Sequence, residues 1–179
     1  MSTKLVLLGL LKEKPFYGYE LKHIIEEHMG DWTNIAFGSI YFALAKLNEE
    51  GFVEKISEEK VGNRPSRSIY KITEKGKNEF ISLLRETWQK IDRVYYPLDI
   101  AIAFSKSLSV DEVKGYIKAR IMKFEENLKY LQKHKEEQLS RKEVPSSTKA
   151  VFSHSEYHMM SELNWLKDLL KEIENKNKL

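Results

Sequence analysis

Apolar residues recur every three or four positions over most of the chain, which is the spacing that places side chains on one face of an α-helix. The N-terminal third contains three such segments, at residues 3–13, 18–29 and 39–50. Pro15 ends the first segment because its ring disfavours helical geometry in the preceding residue. Ser39 is the expected N-cap of the third segment. This part of the chain is therefore predicted to fold as three helices in close succession.

The pattern then changes to two short β-like runs, at residues 52–56 and 68–72. The polar segment between them contains glycine, asparagine and proline, which favour turns, so the two runs predict a hairpin with a long tip. The chain has a net charge of only +3, but residues 60–77 hold six basic side chains against one acidic side chain. The positive charge is thus local to the hairpin and to the start of the next helix.

Helical spacing returns after the hairpin. Thr73, a good N-cap, begins a helix that is expected to run to about Arg93. Pro97 interrupts the chain, and a short apolar helix is expected at residues 100–104. Aromatic side chains cluster around this junction, where they indicate packing at a hinge or, alternatively, the wall of an effector pocket. These side chains are Trp88, Tyr95, Tyr96 and Phe104.

Two long helices with coiled-coil-like seams are predicted in the C-terminal half. Ser109 and Glu112 stand at capping-box spacing at the start of the first, and a polar loop at residues 140–149 separates it from the second. The seam positions proposed for dimerisation are Ile117, Ile121 and Phe124 in the first helix and Leu163, Leu166 and Leu170 in the second. Such seams need partners, so the helices pair with each other, with a second subunit, or with both.

Together these elements predict a mainly α-helical fold with a small β-hairpin. Residues 1–85 have the element order of a winged helix-turn-helix, and residues 86–179 are expected to form a helical, coiled-coil-like dimerisation domain. The third helix of a winged domain fits the major groove of DNA, and a basic hairpin tip can follow the phosphate backbone or enter the minor groove. The expected partners are therefore double-stranded DNA and a second copy of the chain.

Composition narrows the function further. The chain has no cysteine, which excludes disulfides, thiolate zinc sites, iron–sulfur clusters and cysteine nucleophiles. It has no Gly-x-Ser-x-Gly motif, phosphate-binding glycine loop or dinucleotide fingerprint, so neither an enzyme nor a cofactor is expected. No run approaches the ~18–20 apolar residues of a membrane span, and the apolar run near the N-terminus is too short for a signal peptide. A cytoplasmic protein without a membrane partner is expected.

Three segments carry a further signal: residues 17–21 (Tyr-Gly-Tyr-Glu-Leu), 39–51 and 64–76. They resemble, in that order, the Gly-Tyr-Glu motif, the recognition-helix motif and the wing motif of the PadR family of bacterial transcriptional regulators. Phe42 replaces the proline that usually follows the tyrosine, a departure that leaves the fold intact but bears on base preference. The rest of the chain resembles, in length and helix pattern, the C-terminal domain of the longer PadR subfamily, which dimerises and often helps to receive an effector.

The resemblance implies roles for individual residues. Tyr41 looks like the family's tyrosine near the phosphate backbone, with packing in the core as the alternative. Ser39, Phe42 and Lys46 correspond to groove-facing positions, and Arg64, Ser66 and Arg67 to wing contacts. Because members of the family answer to phenolic acids, drugs or other stress compounds, the resemblance implies a dimeric repressor that a small aromatic effector releases from an inverted-repeat operator.

Two alternatives accompany this hypothesis. His154 and His158 stand at i,i+4 spacing, which can chelate a metal, but such pairs also arise by chance, so a solvated or interface face is favoured and no metal is expected. The alternative function is a dimeric protein-interaction module that uses the winged domain without sequence-specific DNA binding. An intact dimer that lacks such binding would favour it.

Overall fold

The computed structural model describes residues 2–30, 33–59, 67–140 and 144–176. Contacts divide the chain into two compact units, Met1–Asp92 and Arg93–Leu179. The first unit contains α1 (Ser2–Glu13), β1 (Phe16–Tyr17), α2 (Gly18–His28), α3 (Phe37–Glu49), β2 (Val53–Glu59), β3 (Arg67–Ile72) and α4 (Glu74–Gln89). The second unit contains α5 (Pro97–Ala103), a 3₁₀ turn (Ser105–Ser107), α6 (Val110–Leu139) and α7 (Ser146–Lys176).

Several of the predicted helix boundaries were wrong. Helix α3 begins at Phe37, so Ala36 and not Ser39 is its N-cap. Helix α4 ends at Gln89, before the predicted end near Arg93. Helix α5 begins at Pro97 itself, because proline lacks an N–H that the first helical position does not need. Helix α7 begins inside the segment predicted as a loop, and the two-residue strand β1 was not predicted at all.

The core of the first unit is built from the apolar faces of its helices and the root of its sheet. Each leucine or isoleucine side chain that it removes from water contributes about 1.5–3 kcal/mol of transfer free energy. The antiparallel sheet has the strand order β1-β3-β2, so β3 is central and both neighbours pair with it. The buried side chains are Leu7, Leu8, Leu11, Phe16, Leu21, Ile25, Ile40, Leu44, Leu47, Val53, Ile72 and Leu83.

A tight junction fixes the sheet root against the neighbouring helices. Gly51 follows α3 with φ +74°, a left-handed conformation that glycine adopts without strain. The Thr73 hydroxyl accepts a hydrogen bond from the Gly76 amide, which confirms Thr73 as the N-cap of α4, and donates to the carbonyl of Gly51 at 2.7 Å. The end of α3 and the start of α4 are therefore held together at one end of the hairpin.

In the second unit the two long helices pack against each other within one chain. The Ser109 capping box is present, since the Ser109 amide donates to the Glu112 carboxylate at 2.9 Å. Hydrogen bonds from Ser109 lower the pKa of Glu112. Lys167 forms an ion pair with Glu125 across the helices at 2.6 Å, and this hydrogen bond lowers the pKa of Glu125. The apolar seam and such flanking pairs together fix the register of α6 on α7.

Candidate nucleic-acid interface

Helix α3 has one buried face and one exposed face. Ile40, Leu44 and Leu47 are at most 2% exposed and anchor the helix in the core. On the opposite side, Phe42 is 73% exposed and the Lys46 side chain 60% exposed. Because the core fixes the rotation of α3 about its axis, the direction in which these two side chains point is fixed as well.

Tyr41 lies at the border between the two faces of α3. Its ring lies against Gly18 at the start of α2, since a Cβ placed on Gly18 would be 2.9 Å from the Tyr41 ring. Tyr41 is nonetheless 41% exposed. One side of the ring therefore packs in the helix-turn-helix and the rest of the side chain reaches solvent, while the phosphate contact stays a prediction.

The glycine of the Gly-Tyr-Glu segment thus has a packing role, and its glutamate has a capping role. The Tyr17 amide donates to the Glu20 carboxylate at 2.8 Å, which satisfies a backbone donor at the start of α2. The Tyr17 and Tyr19 rings stack with centroids 5.5 Å apart. These residues set the position of α2 beneath α3.

The first turn of α3 carries no acidic side chain. Ser39 is the third residue of α3, and its hydroxyl donates a hydrogen bond to the carbonyl of the N-cap residue Ala36 at 2.6 Å. A Cβ placed on Gly38 would meet nothing within 4 Å, which leaves open space beside this turn. The Ser39 amide donates to the Ala36 carbonyl at 3.0 Å, but the partial positive charge of the helix start and a first turn without a carboxylate suit an anion such as a phosphate.

Lys46 stands near Glu50 on the exposed face of α3, one helical turn after Phe42. Its Nζ lies 3.9 Å from the Glu50 carboxylate, at the outer limit of an ion pair, and both groups are well exposed. Exposed pairs of this kind contribute about 0.3–0.5 kcal/mol in helices, so Lys46 can exchange this partner for a phosphate at little cost.

The hairpin that forms the wing is described up to its tip. Strands β2 and β3 pair from Val53↔Ile72 to Glu59↔Arg67, with a bulge at Lys55/Ser57. The backbone of Arg67 therefore opens β3, but its side chain lies outside the described part of the structure, as do Arg64 and Ser66 altogether. The predicted wing contacts at these three residues stay predictions.

The residues of the predicted aromatic cluster are divided between the two units. Trp88 lies at the end of α4 in the first unit, 88% exposed, whereas Tyr95, Tyr96 and Phe104 lie in the second and are at least half exposed. Within the second unit Tyr96 lines a cavity of about 400 Å³ together with Trp165, Arg120 and Glu162. Trp165 and Arg120 were not predicted as residues of a binding site, because their positions on the long helices carry no local signal of a cavity.

A second cavity of about 520 Å³ lies among α5, α6 and α7. Aliphatic side chains form most of its wall, and Tyr116, Arg120 and Lys123 also line it. Both cavities include Arg120, whose guanidinium is 3.8 Å from the Glu162 carboxylate.

The residues predicted for dimerisation pack within one chain. Leu166 is fully buried, Ile117 and Leu163 are nearly so, and Ile121, Phe124 and Leu170 are half-buried against the seam between α6 and α7. Large apolar side chains elsewhere in the second unit remain exposed. They include Ile100, Phe104, Tyr116, Met122, Tyr130 and Tyr157.

A helix-turn-helix supported by a three-stranded sheet defines the first unit as a winged-helix domain. Residues 7–82, which lie within this unit, match the model of the transcriptional regulator PadR-like family. No helix in the described segments has the length and apolarity needed to cross a membrane.

Proteins similar over nearly the whole chain include a transcriptional regulator and solved structures with the same fold. The negative transcriptional regulator PadR of Bacillus subtilis is 25% identical over 179 residues, which cover 96% of this chain and 97% of that protein. The crystal structure of Bacillus subtilis PadR with operator DNA matches with a TM-score of 0.82 at 24% identity, over 97% of this chain and 99% of that one. The structure of the same protein with p-coumaric acid matches with a TM-score of 0.78 at 24% identity, over 96% and 94%. The family and these relatives are transcriptional regulators and not enzymes, as the sequence predicts.

Proposed function

We propose that this chain is a cytoplasmic transcriptional repressor that binds an inverted-repeat operator as a homodimer and is released by a small-molecule effector. The observation that carries the proposal is the exposed face of α3, where Phe42 and Lys46 project from a helix that the core holds rigidly. A helix of this length fits the major groove of DNA. On the promoter, the bound dimer would block access of the polymerase.

Phe42 and Lys46 have different roles in this proposal. An aromatic ring in the major groove makes apolar contact with the methyl group of thymine, so Phe42 contributes to base selection. Lys46 and the first turn of α3 bind phosphates, which positions the domain without selecting a sequence. Tyr41, held against Gly18, is placed to donate to the backbone beside this helix, and Arg64, Ser66 and Arg67 extend the contact along the wing.

The test is fluorescence anisotropy with the DNA upstream of the protein's own gene, titrated over a range of salt concentrations. Lys46→Ala should weaken binding to all DNA sequences. It should also reduce the slope of log binding constant against log salt concentration by roughly 0.9, the value expected for the loss of one phosphate contact. Phe42→Ala should weaken binding to the operator more than to random DNA, with the salt slope unchanged, because it removes a base contact.

Lys77→Ala is the matched control for Lys46. Lys77 is an exposed lysine paired with a carboxylate on α4, and its removal should leave operator binding unchanged. If both α3 variants bind as tightly as the wild type, the interface is assigned wrongly. If the wild type is a dimer without any preference for its upstream DNA, the chain is a protein-interaction module instead.

We assign dimerisation to the second unit, where the half-buried seam residues Ile121, Phe124 and Leu170 adjoin exposed apolar side chains. Two copies would present two copies of α3 to half-sites about one helical turn apart. Sedimentation of Tyr116→Glu and Met122→Glu variants tests this assignment. Both should dissociate with unchanged helix content, and dimers as stable as the wild type would exclude this surface.

The effector in this proposal is a small aromatic acid bound beside Tyr96. The ring of Tyr96 and the indole of Trp165 provide apolar walls, and Arg120 provides a counter-charge for a carboxylate. With p-coumaric acid as probe, release of operator DNA should need more ligand in Tyr96→Ala and Trp165→Ala variants. No release from the wild type would exclude this effector.

A further inference from the structure

His154 and His158 bring two imidazole nitrogens together on the surface of α7. Their Nε2 atoms are 3.2 Å apart and their ring centroids 4.5 Å apart, with the rings inclined at 68°. Both side chains are exposed. Spacing alone favoured no metal here, but from this geometry we propose that the pair is a binding site for a divalent transition-metal ion of the zinc, copper or nickel type.

The geometry suits chelation by both rings at once. Imidazole nitrogens bind Zn²⁺ at about 2.0–2.1 Å, so two nitrogens 3.2 Å apart subtend an angle of roughly 100° at the metal, near the tetrahedral value. The i,i+4 spacing on α7 keeps the two rings side by side, so rotation of the side chains would direct both nitrogens at one ion. Neutral imidazole is a preferred ligand of zinc, copper and nickel, whereas magnesium and calcium prefer oxygen.

The neighbouring side chains leave the remaining coordination positions open. Glu156, between the two histidines in sequence, is committed to Lys135 on α6 at 2.6 Å. No group of three or more metal-ligating side chains occurs among the described residues. Water or another external ligand would complete the coordination, as in sites whose ion exchanges with solvent.

A hydrogen bond between two neutral rings would give the same distance without a metal, so binding has to be measured. The experiment is isothermal titration of the full chain with ZnCl₂ at neutral pH, repeated with His154→Gln and His158→Gln. Loss of an outer-shell partner typically weakens metal binding about 10–100-fold, so loss of one of two ligands should weaken it by at least about tenfold. His28→Gln, which removes an exposed histidine from the last turn of α2, should bind like the wild type.

A second measurement separates loss of ligand from loss of structure. Circular dichroism should show unchanged helix content in both variants, and Zn²⁺ should raise the melting temperature of the wild type but not of the variants, because the ion binds only the folded pair. No saturable binding, or equal binding in wild type and both variants, would overturn the proposal.

Discussion

The sharpest test of the fold is the substitution Gly76→Ala, where two physical effects have opposite signs. Alanine favours a helix over glycine by up to about 1 kcal/mol, so propensity alone predicts stabilisation. In the structure, however, a Cβ on Gly76 would overlap the carbonyl oxygen of Phe52 and lie 2.8 Å from the Ile72 side chain. Since both contacts are far inside van der Waals distance, the start of α4 would have to move away from the sheet.

The overlap is costly because the atom that the new Cβ meets first, the Phe52 carbonyl oxygen, belongs to the backbone. The Phe52 carbonyl accepts hydrogen bonds from the Thr73 amide and hydroxyl, at 3.0 and 3.1 Å, and cannot move aside alone. Overpacking costs about 1–3 kcal/mol, and each weakened hydrogen bond about 1 kcal/mol more. We therefore expect a net loss of about 2–3 kcal/mol in the free energy of unfolding, after allowing for the propensity gain.

The assay is urea unfolding followed by circular dichroism, at one protomer concentration for all variants because the proposed dimerisation would make apparent stability depend on concentration. Gly115→Ala on α6 is the matched control, since a Cβ there would meet nothing within 4 Å. It should raise stability by up to about 1 kcal/mol. A Gly76→Ala midpoint equal to the wild type, or shifted upward like that of Gly115→Ala, would refute the close approach of α4 to Phe52.

Two further predictions concern the second unit. Leu166→Ala, at a fully buried seam position, should lower the free energy of unfolding by about 2–5 kcal/mol in the same assay. Trp165→Ala, at an exposed position, should lower it much less. Equal effects would contradict the burial of Leu166 between α6 and α7. Ser109→Ala should raise the pKa of Glu112 toward its usual value, measured by NMR titration of the carboxyl group. Because the folded pKa of Glu112 is lowered, its stabilisation is present above its unfolded pKa and is lost as the pH falls through the folded value. The variant should therefore be less stable at neutral pH, with a difference that narrows in acid.

Local chemistry determined much of this protein at the level of sequence. The capping residues Thr73 and Ser109 act through partners three residues away, so their roles follow from spacing alone. Helical periodicity likewise predicts which face of α3 is apolar, and the motif around Tyr41 resembles that of the PadR family. The errors at helix ends, such as the N-cap of α3, arose where several polar or small residues offer equivalent starts.

Tertiary structure alone decided how these pieces meet. Periodicity left open whether the seams of α6 and α7 pair within a chain or between chains, because the same apolar stripe fits either; in the structure Leu166 is buried by its own chain. The short strand β1 forms because β3 offers it an edge; Phe16 and Tyr17 favour strands, but two residues are too short a run to predict one. The contact of Tyr41 with Gly18 and the approach of Gly76 to Phe52 join residues more than 20 positions apart, and only packing could bring them together.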